Sequence, residues 1–246
     1  MTRYQFPDGF FWGAAASGPQ TEGVEGKAHR SIWDSWFAEH PERFYQQMGP
    51  QKVCETYTKY KDDVALMKGL NFNSFRTSIQ WSRLIADFET GEPDADAVRF
   101  YHAYLDEMIA NGIEPMINLY HFDMPEALQK KYGGFESAKV TDLFARFAQT
   151  AFTLFGHKVK YWITFNEPIV PVEGGYLYDF HYPCKKDGKL AAQVAFNIML
   201  AHAKAVQVYR QLALDGEIGV VLNLTPSYTR NDSVEDKKAA AYADLL

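Results

Sequence analysis

The sequence predicts an α/β fold, a (β/α)8 TIM barrel of which the 246-residue chain covers about the first five strands. Three observations lead to this prediction. Short apolar runs alternate with longer segments of helical periodicity, as in parallel strands covered by helices. The apolar runs are nearly continuous, which is typical of strands that are buried on both faces. The first run is not followed by the glycine-rich turn of dinucleotide-binding folds, which favours a barrel over a Rossmann sheet.

Five apolar runs are predicted to be the strands. They are Phe10–Ala15, Ser74–Ser78, Pro115–Tyr120, Tyr161–Phe165 and Ile218–Leu224. Because a complete barrel has eight strands, we expect residues 1–246 to be the N-terminal part of a single, larger (β/α)8 domain. An open five-stranded sheet has two unpaired edges, and such edges pair with other chains. The sequence therefore also predicts self-association of the 246-residue chain as a homo-oligomer or aggregate.

The segments between the runs have apolar residues at helical spacing. Helices are predicted around Tyr57–Met67, Val98–Ile109, Val140–Leu154 and Val194–Leu212, and VEDKKAAAYADLL is predicted to begin another. Gly69, Gly112 and Gly156 follow three of these segments and are predicted to end the helices.

Composition excludes several classes of function. Hydrophobic residues make up 47% of the chain, which is enough for a large core, and the net charge is −6 with dispersed lysine and arginine. A nucleic-acid partner is therefore not expected. The two cysteines, Cys54 and Cys184, are expected to be free thiols. No signal peptide or membrane-spanning run is visible, so we expect a cytoplasmic protein with no membrane partner.

Polar residues lie on, end or follow each predicted strand. In (β/α) barrels the active site lies at the C-terminal ends of the strands, so these residues are expected to meet at one mouth. In chain order they are Gln20 with Glu22, Arg76, His121 with Asp123, Asn166 with Glu167, and Asn223.

Glu167 is the candidate general acid/base. Pro168 disfavours helical backbone in the residue before it, so Glu167 is expected to continue the strand in extended conformation. A carboxylic acid among aromatic side chains has a raised pKa, which suits proton donation near neutral pH. Amide and imidazole groups beside it can bind sugar hydroxyls. Flat aromatic platforms for a sugar are predicted from Trp12, Trp33, Phe122, Trp162 and Tyr176.

Structural roles are the alternatives for the same residues. His121 can be a core histidine, Arg76 the partner of a buried acid, and Gln20 a brace within its loop. Glu167 can be a helix-terminal or ion-paired acid and Asn223 a turn residue, while Trp12 and Trp162 are expected to be core residues.

Five motifs resemble family 1 glycoside hydrolases, the β-glucosidase and 6-phospho-β-glucosidase family. They are FPDGFFWGAAASGPQTEG (Phe6–Gly23), SIWD (Ser31–Asp34), FRTSIQWSR (Phe75–Arg83), YHFDMP (Tyr120–Pro125) and TFNEP (Thr164–Pro168). The resemblance implies a retaining mechanism without metal or cofactor.

The resemblance also implies a role for each candidate residue. It makes Glu167 the acid/base and places Arg76 beside the nucleophile. Asn166 is expected to bind the 2-hydroxyl of the sugar, His121 the 3-hydroxyl, and Gln20 the 3- and 4-hydroxyls.

One departure from the family pattern is serious. The family's nucleophile is a glutamate in an I/V-T-E-N-G motif, and residues 1–246 do not contain that motif. Retaining chemistry needs two carboxyl groups about 5 Å apart. Asp123 and Glu173 are the other nearby acids, and neither resembles the nucleophile. The 246-residue chain alone is therefore expected to be inactive, and a non-catalytic half-barrel is the alternative function.

The pair His121–Phe122 and the run NEPIVPVEGGYLYDFHYP resemble the phospho branch of the family. A 6-phospho-β-glucoside is therefore the expected substrate. A plain β-glucosidase acting on unphosphorylated sugars is the closest alternative. The five motifs oppose a third alternative, an endo-acting cellulase. In this family the residues that bind the 6-position lie beyond Leu246.

Overall fold

The computed structural model describes residues 4–244, and these form a five-stranded parallel sheet with helices packed against it. The strands lie in the order β1-β2-β5-β6-β7. Their bounds are β1 Gly13–Ala15, β2 Ser74–Ser78, β5 Glu114–Tyr120, β6 Tyr161–Asn166 and β7 Glu217–Val221. A small antiparallel pair, β3 (Ile85–Asp87) and β4 (Glu92–Pro93), lies outside this sheet. Neighbours in the sheet follow one another in the chain, as in the first five strands of a barrel.

Long helices connect the strands. They are α3 (Thr56–Gly69), α5 (Ala95–Ala110), α7 (Ala138–Phe155) and α9 (Gly188–Gln211), followed by α10 (Val234–Ala243). Shorter helices are α1 (Gly18–Thr21), α2 (Ile32–Glu39), α4 (Trp81–Leu84), α6 (Glu126–Tyr132) and α8 (Ile169–Val172). The four helices predicted from periodicity and the fifth predicted to begin in VEDKKAAAYADLL are all present.

Side-chain caps determine where several helices begin. The Asp94 side chain accepts a hydrogen bond from the Ala97 N–H at 2.9 Å, and Asp187 accepts from the N–H groups of Lys189 and Leu190. These bonds satisfy donors that have no partner inside a helix. Of the predicted stops, Gly112 follows α5 with φ +73, whereas Gly69 is the last residue of α3.

Strand β1 is shorter than predicted. The prediction began at Phe10, but the strand begins at Gly13, where a Cβ would lie 1.9 Å from the Ser74 carbonyl oxygen. Glycine permits this close approach to β2. Trp12 precedes the strand, is half exposed and packs against Phe6 and Phe10. It therefore lies at the end of β1 opposite the expected mouth, so the predictions of Trp12 as a sugar platform and as a core residue are both wrong.

Aromatic side chains form much of the core between the sheet and the helices. Trp81 stacks on Phe147 of α7 with ring centroids 5.4 Å apart, and Phe165 of β6 packs against Phe144. Trp162 is 2% exposed and packs against Phe152. The prediction of Trp162 as a core residue is confirmed, and its alternative as a sugar platform is wrong.

Strands β1 and β7 are the two edges of the sheet. All three residues of β1 are exposed, and no residue of β7 is fully buried. The sheet within residues 4–244 is therefore open, with an unpaired row of backbone groups on either side. Cys54 and Cys184 are free thiols, as predicted. Nowhere between residues 4 and 244 is a helix both long and apolar enough to cross a membrane.

Candidate active site

A cavity of about 460 Å³ lies at the C-terminal ends of the first strands. Gln20 and His121, two of the predicted sugar-binding residues, both line it. Trp33 and Phe122, two of the predicted platforms, line it as well. The remaining wall is mostly apolar and comes from the segment between α2 and α3: Phe44, Met48, Gly49, Pro50 and Val53. The cavity thus combines polar groups with aromatic faces, as a sugar-binding site requires.

His121 follows β5 and is held by two donors. Nη1 of Arg76 lies 3.2 Å from its Nδ1, and Nδ2 of Asn118 lies 3.3 Å from the same atom. A guanidinium can only donate, so Nδ1 must accept. In the neutral ring the proton is then on Nε2, which is left free to donate towards a ligand in the cavity.

The ring of His121 is neutral at physiological pH. Burial lowers its pKa to about 4, and the positive charge of Arg76 adds to the lowering. Asp123 fixes the backbone at His121 through hydrogen bonds. One of its carboxylate oxygens accepts the His121 N–H at 3.1 Å, and the other accepts the Trp81 N–H at 3.0 Å. Asp123 is fully buried, and burial raises its pKa to about 6. It therefore braces the loop and is not placed to attack a substrate.

Arg76 interacts with His121, which follows β5, and with Glu167, which follows β6. Its Nη1 also donates to the Ala16 carbonyl at 3.0 Å. Burial lowers the pKa of Arg76, and the negative charge of Glu167 partly offsets this. Arg76 forms no ion pair within 4 Å among residues 4–244, so the alternative of a purely structural partner to a buried acid is not supported.

Glu167 lies directly after β6, where its N–H still donates to the Val221 carbonyl of β7 at 2.8 Å. Its φ is +48, so the prediction of extended backbone before Pro168 is wrong. A residue other than glycine in this region is strained, and such residues cluster at functional sites. The side chain is partly exposed and, within the described part of the chain, accepts no hydrogen bond. Asn166, the last residue of β6, is 3% exposed.

The first strand is followed by residues with two different roles. Gln20 lies in α1 with an exposed side chain, and its Oε1 accepts a hydrogen bond from the Ser17 hydroxyl at 2.9 Å. It is therefore both braced within its loop and available in the cavity. Glu22 is buried and pairs with Arg83 at 2.7 Å, while Gln80 and Tyr101 also donate to it. Its role is structural.

Two further predictions at the mouth are wrong. Strand β7 ends at Val221, so Asn223 is not at its tip but lies in an exposed loop. Tyr176 is buried, and its hydroxyl donates to Glu136 at 2.8 Å. It therefore offers no face to a sugar.

Sequence reasoning missed the apolar wall and Asn118. The wall segment has no periodicity, and its backbone has left-handed φ at Gln46, Gln47 and Val53. Asn118 had a visible signal, because it is a polar residue inside the apolar run of β5. No group of three or more His, Cys, Asp or Glu side chains in residues 4–244 is arranged to bind a metal ion.

Comparison with known proteins gives a consistent result. The family model described as Glycosyl hydrolase family 1 matches residues 2–245. The chain is 53% identical to 6-phospho-beta-glucosidase GmuD of Bacillus subtilis over 247 residues, covering 99% of this chain and 52% of that protein. It is 38% identical to Beta-glucosidase 24 of rice, covering 99% of this chain and 52% of that protein. The chain therefore spans about half the length of the curated relatives it matches.

A solved structure has the same fold. It is a mutant of the rice Os3BGlu6 β-glucosidase in a covalent complex with Glc, with a TM-score of 0.90 and 30% sequence identity. The match covers 97% of this chain and 53% of that chain. The predicted fold, about the first five strands of a (β/α)8 barrel, is confirmed.

Proposed function

The chain belongs to glycosyl hydrolase family 1, and we propose that it forms the acid/base half of a retaining β-glycosidase active site. In this proposal residues 1–246 are the N-terminal part of one catalytic domain. The missing carboxylate comes from a later strand of the complete barrel. Supporting observations are the cavity that Gln20 and His121 share and the electrostatic contact between Arg76 and Glu167.

Glu167 is the general acid/base. It protonates the glycosidic oxygen while the nucleophilic carboxylate attacks the anomeric carbon and the bond to the leaving group breaks. It then accepts a proton from the water that hydrolyses the covalent glycosyl-enzyme. Within residues 4–244 the carboxylate of Glu167 has no hydrogen-bond or ion-pair partner, which supports a role facing the substrate. A covalent complex with Glc in a structural relative supports the retaining course.

The sugar is bound by neutral donors and acceptors. His121 donates from Nε2 to the 3-hydroxyl, because Arg76 occupies Nδ1. Asn166 binds the 2-hydroxyl, and the exposed amide of Gln20 binds the 3- and 4-hydroxyls. Trp33 and Phe122 supply the apolar faces of the cavity. Arg76, half-buried beside the site, stabilises the negative charge of the nucleophile.

The substrate is a 6-phospho-β-glucoside. The observation that supports this choice is the 53% identity with a 6-phospho-beta-glucosidase, against 38% with a relative named Beta-glucosidase 24. Such phosphorylated sugars arise inside bacterial cells during uptake, which fits a cytoplasmic location. An unphosphorylated β-glucoside is the second candidate, supported by the several β-glucosidases among the relatives.

The test uses a completed barrel, defined as the full-length protein of which residues 1–246 are proposed to be the N-terminal part, so that the residues binding the 6-position are its own. We expect it to hydrolyse nitrophenyl 6-phospho-β-glucoside and to act poorly on the same glucoside without phosphate. The 246-residue chain alone should hydrolyse neither, because it lacks the nucleophile. Equal activity on both glucosides would overturn the phospho assignment. Hydrolysis by the 246-residue chain alone would overturn the assignment of the nucleophile to a later strand.

A further inference from the structure

Strand β6 contains one residue more than its neighbour at the end that leads to Glu167. Ile163 pairs with Gly219 and Asn166 pairs with Val221, so three steps along β6 match two steps along β7. The pairing of β6 with β5 on the other side keeps its register. The irregularity is therefore a β-bulge on the β7 side only. Bulges next to active sites redirect the side chains that follow them.

The bulge changes which way the side chains point. Trp162 packs against Phe152 of α7, and Phe165 packs against Phe144 of the same helix. Thr164, between them, contacts His202 of α9. Side chains of a regular strand alternate between the two faces, yet Thr164 and Phe165 are adjacent and both face the helices. Regular alternation after Phe165 then places Asn166 on the opposite face of the sheet.

A chain of two hydrogen bonds lies at this bulge. The Thr164 hydroxyl is 2.7 Å from Nδ1 of His202 and 3.1 Å from the Gly219 carbonyl. A carbonyl only accepts and the hydroxyl has one proton. Both bonds therefore form only if His202 donates from Nδ1 to the hydroxyl and the hydroxyl donates to Gly219. Burial lowers the pKa of His202, so the ring is neutral with its single proton on Nδ1.

We propose that Thr164 and His202 are positioning residues that keep the β6 bulge in place and thereby aim Asn166 and Glu167 at the substrate. The two hydrogen bonds join β6, β7 and α9 at Thr164, three residues before the acid/base. Neither side chain reaches the cavity, so both act through the backbone. The inference rests on the proposed function of Glu167.

The test compares variants that remove the hydrogen bonds with variants that keep them, all in the completed barrel. Thr164→Val removes the hydroxyl with little change of shape, and His202→Leu removes the donor. Thr164→Ser keeps the hydroxyl, and His202→Asn keeps an N–H near the place of Nδ1. For Thr164→Val and His202→Leu we expect kcat on a 6-phosphorylated cellobiose-like substrate to fall roughly 10- to 100-fold, the effect of a small misplacement of a catalytic group.

Three readouts separate positioning from plain stabilisation. A misplaced acid should lower kcat with a poor leaving group much more than with a dinitrophenolate, which needs no proton, and KM should change little. Thr164→Ser and His202→Asn should retain most of the activity. The double variant should lose no more than the worse single variant, because both act on one hydrogen-bond chain. In nitrogen NMR spectra, His202 should carry its proton on Nδ1, and Thr164→Val should abolish that preference.

Equal losses with both leaving groups, or a fall in melting temperature with unchanged kcat, would overturn the positioning role. Glu167→Gln serves as the reference for the proposed function. If that variant shows no dependence on the leaving group, the acid/base assignment itself fails. If it does show this dependence and Thr164→Val does not, only the positioning pair fails.

Discussion

Arg76 donates a hydrogen bond from Nη1 to Nδ1 of His121 over 3.2 Å. This bond joins a residue of β2 to one that follows β5 and determines which nitrogen of the imidazole carries the proton. The same guanidinium also interacts electrostatically with the negative charge of Glu167. The sugar-binding side of the cavity and the acid/base are therefore electrostatically linked through one guanidinium.

Substitution of the acid/base should have a leaving-group signature. In the completed barrel, Glu167→Gln should lower the rate on substrates with poor leaving groups by about 10²- to 10⁴-fold, the usual contribution of a positioned acid. With a nitrophenolate leaving group the first step should suffer much less, and added azide should restore turnover. Glu173→Gln, which removes another carboxylate close in sequence, is the matched control and should stay near wild type. Equal losses across leaving groups for Glu167→Gln would exclude the role.

Removal of the Asn166 amide should affect catalysis more than binding. Asn166→Ala should lower kcat more than it raises KM, because the contact with the 2-hydroxyl strengthens in the transition state. Asn223→Ala removes the same group from an exposed loop and should leave both constants unchanged. Steady-state kinetics on the phosphorylated nitrophenyl glucoside gives both values. A change in KM alone would contradict the prediction.

The stability of the completed barrel should depend on the protonation of His121. Its pKa is about 4 in the folded chain and about 6.5 in the unfolded chain. The unfolded chain thus takes up the proton first, so the stabilising contribution of the neutral ring is present above pH 6.5 and is lost as the pH falls towards 4. The loss should reach up to about 3 kcal/mol in the free energy of unfolding.

Denaturant unfolding at pH 7 and pH 4.5 measures this effect. Burial raises the pKa of Asp123 to about 6, so protonation of Asp123 increases the free energy of unfolding as the pH falls, opposite to the effect of His121. Wild type must therefore be compared with His121→Gln. The variant should lose less stability than wild type between the two pH values. His40→Gln, a substitution at an exposed histidine, is the control. The same pH dependence in wild type and His121→Gln would show that His121 does not titrate as described.

The 246-residue chain by itself should associate through the open edges of its sheet. Ala14→Lys places a charge on β1, where edge pairing would bury it, and should shift the chain towards smaller species in sedimentation. Ala239→Lys makes the same change on exposed α10 and should have no effect. A monodisperse wild-type monomer that melts cooperatively would contradict the prediction.

Most of the fold was predictable because strand and helix periodicities are local. Strand β2 was predicted to the residue, and β5 and β6 to within one residue at each end. The errors lie at the sheet edges, where β1 and the end of β7 lack a second neighbour. Apolar residues at these edges indicated longer strands. Without a second neighbouring strand, however, the backbone around Phe10 and Asn223 does not continue the hydrogen-bonded pairing of the sheet.

At the candidate site the residue types were predictable and their roles were less so. Gln20 and His121 share a cavity as expected. The division of the aromatic residues between wall and core was predicted only in part, since the core position of Trp162 was expected and that of Tyr176 was not. Trp33 and Phe122 line the cavity, whereas Trp162 and Tyr176 pack inside, and nothing in their immediate sequence distinguishes them.

The sequence by itself determined the order of the elements and the position of Glu167 directly after a buried strand, because both depend on neighbours within a few residues. Only the tertiary structure decided the tautomer of His121, the left-handed backbone of Glu167 and the bulge before it. These depend on contacts between residues that are 45 and 55 positions apart, Arg76 with His121 and Thr164 with Gly219. Such contacts leave no periodic trace in the chain, since they arise only when distant strands are placed side by side.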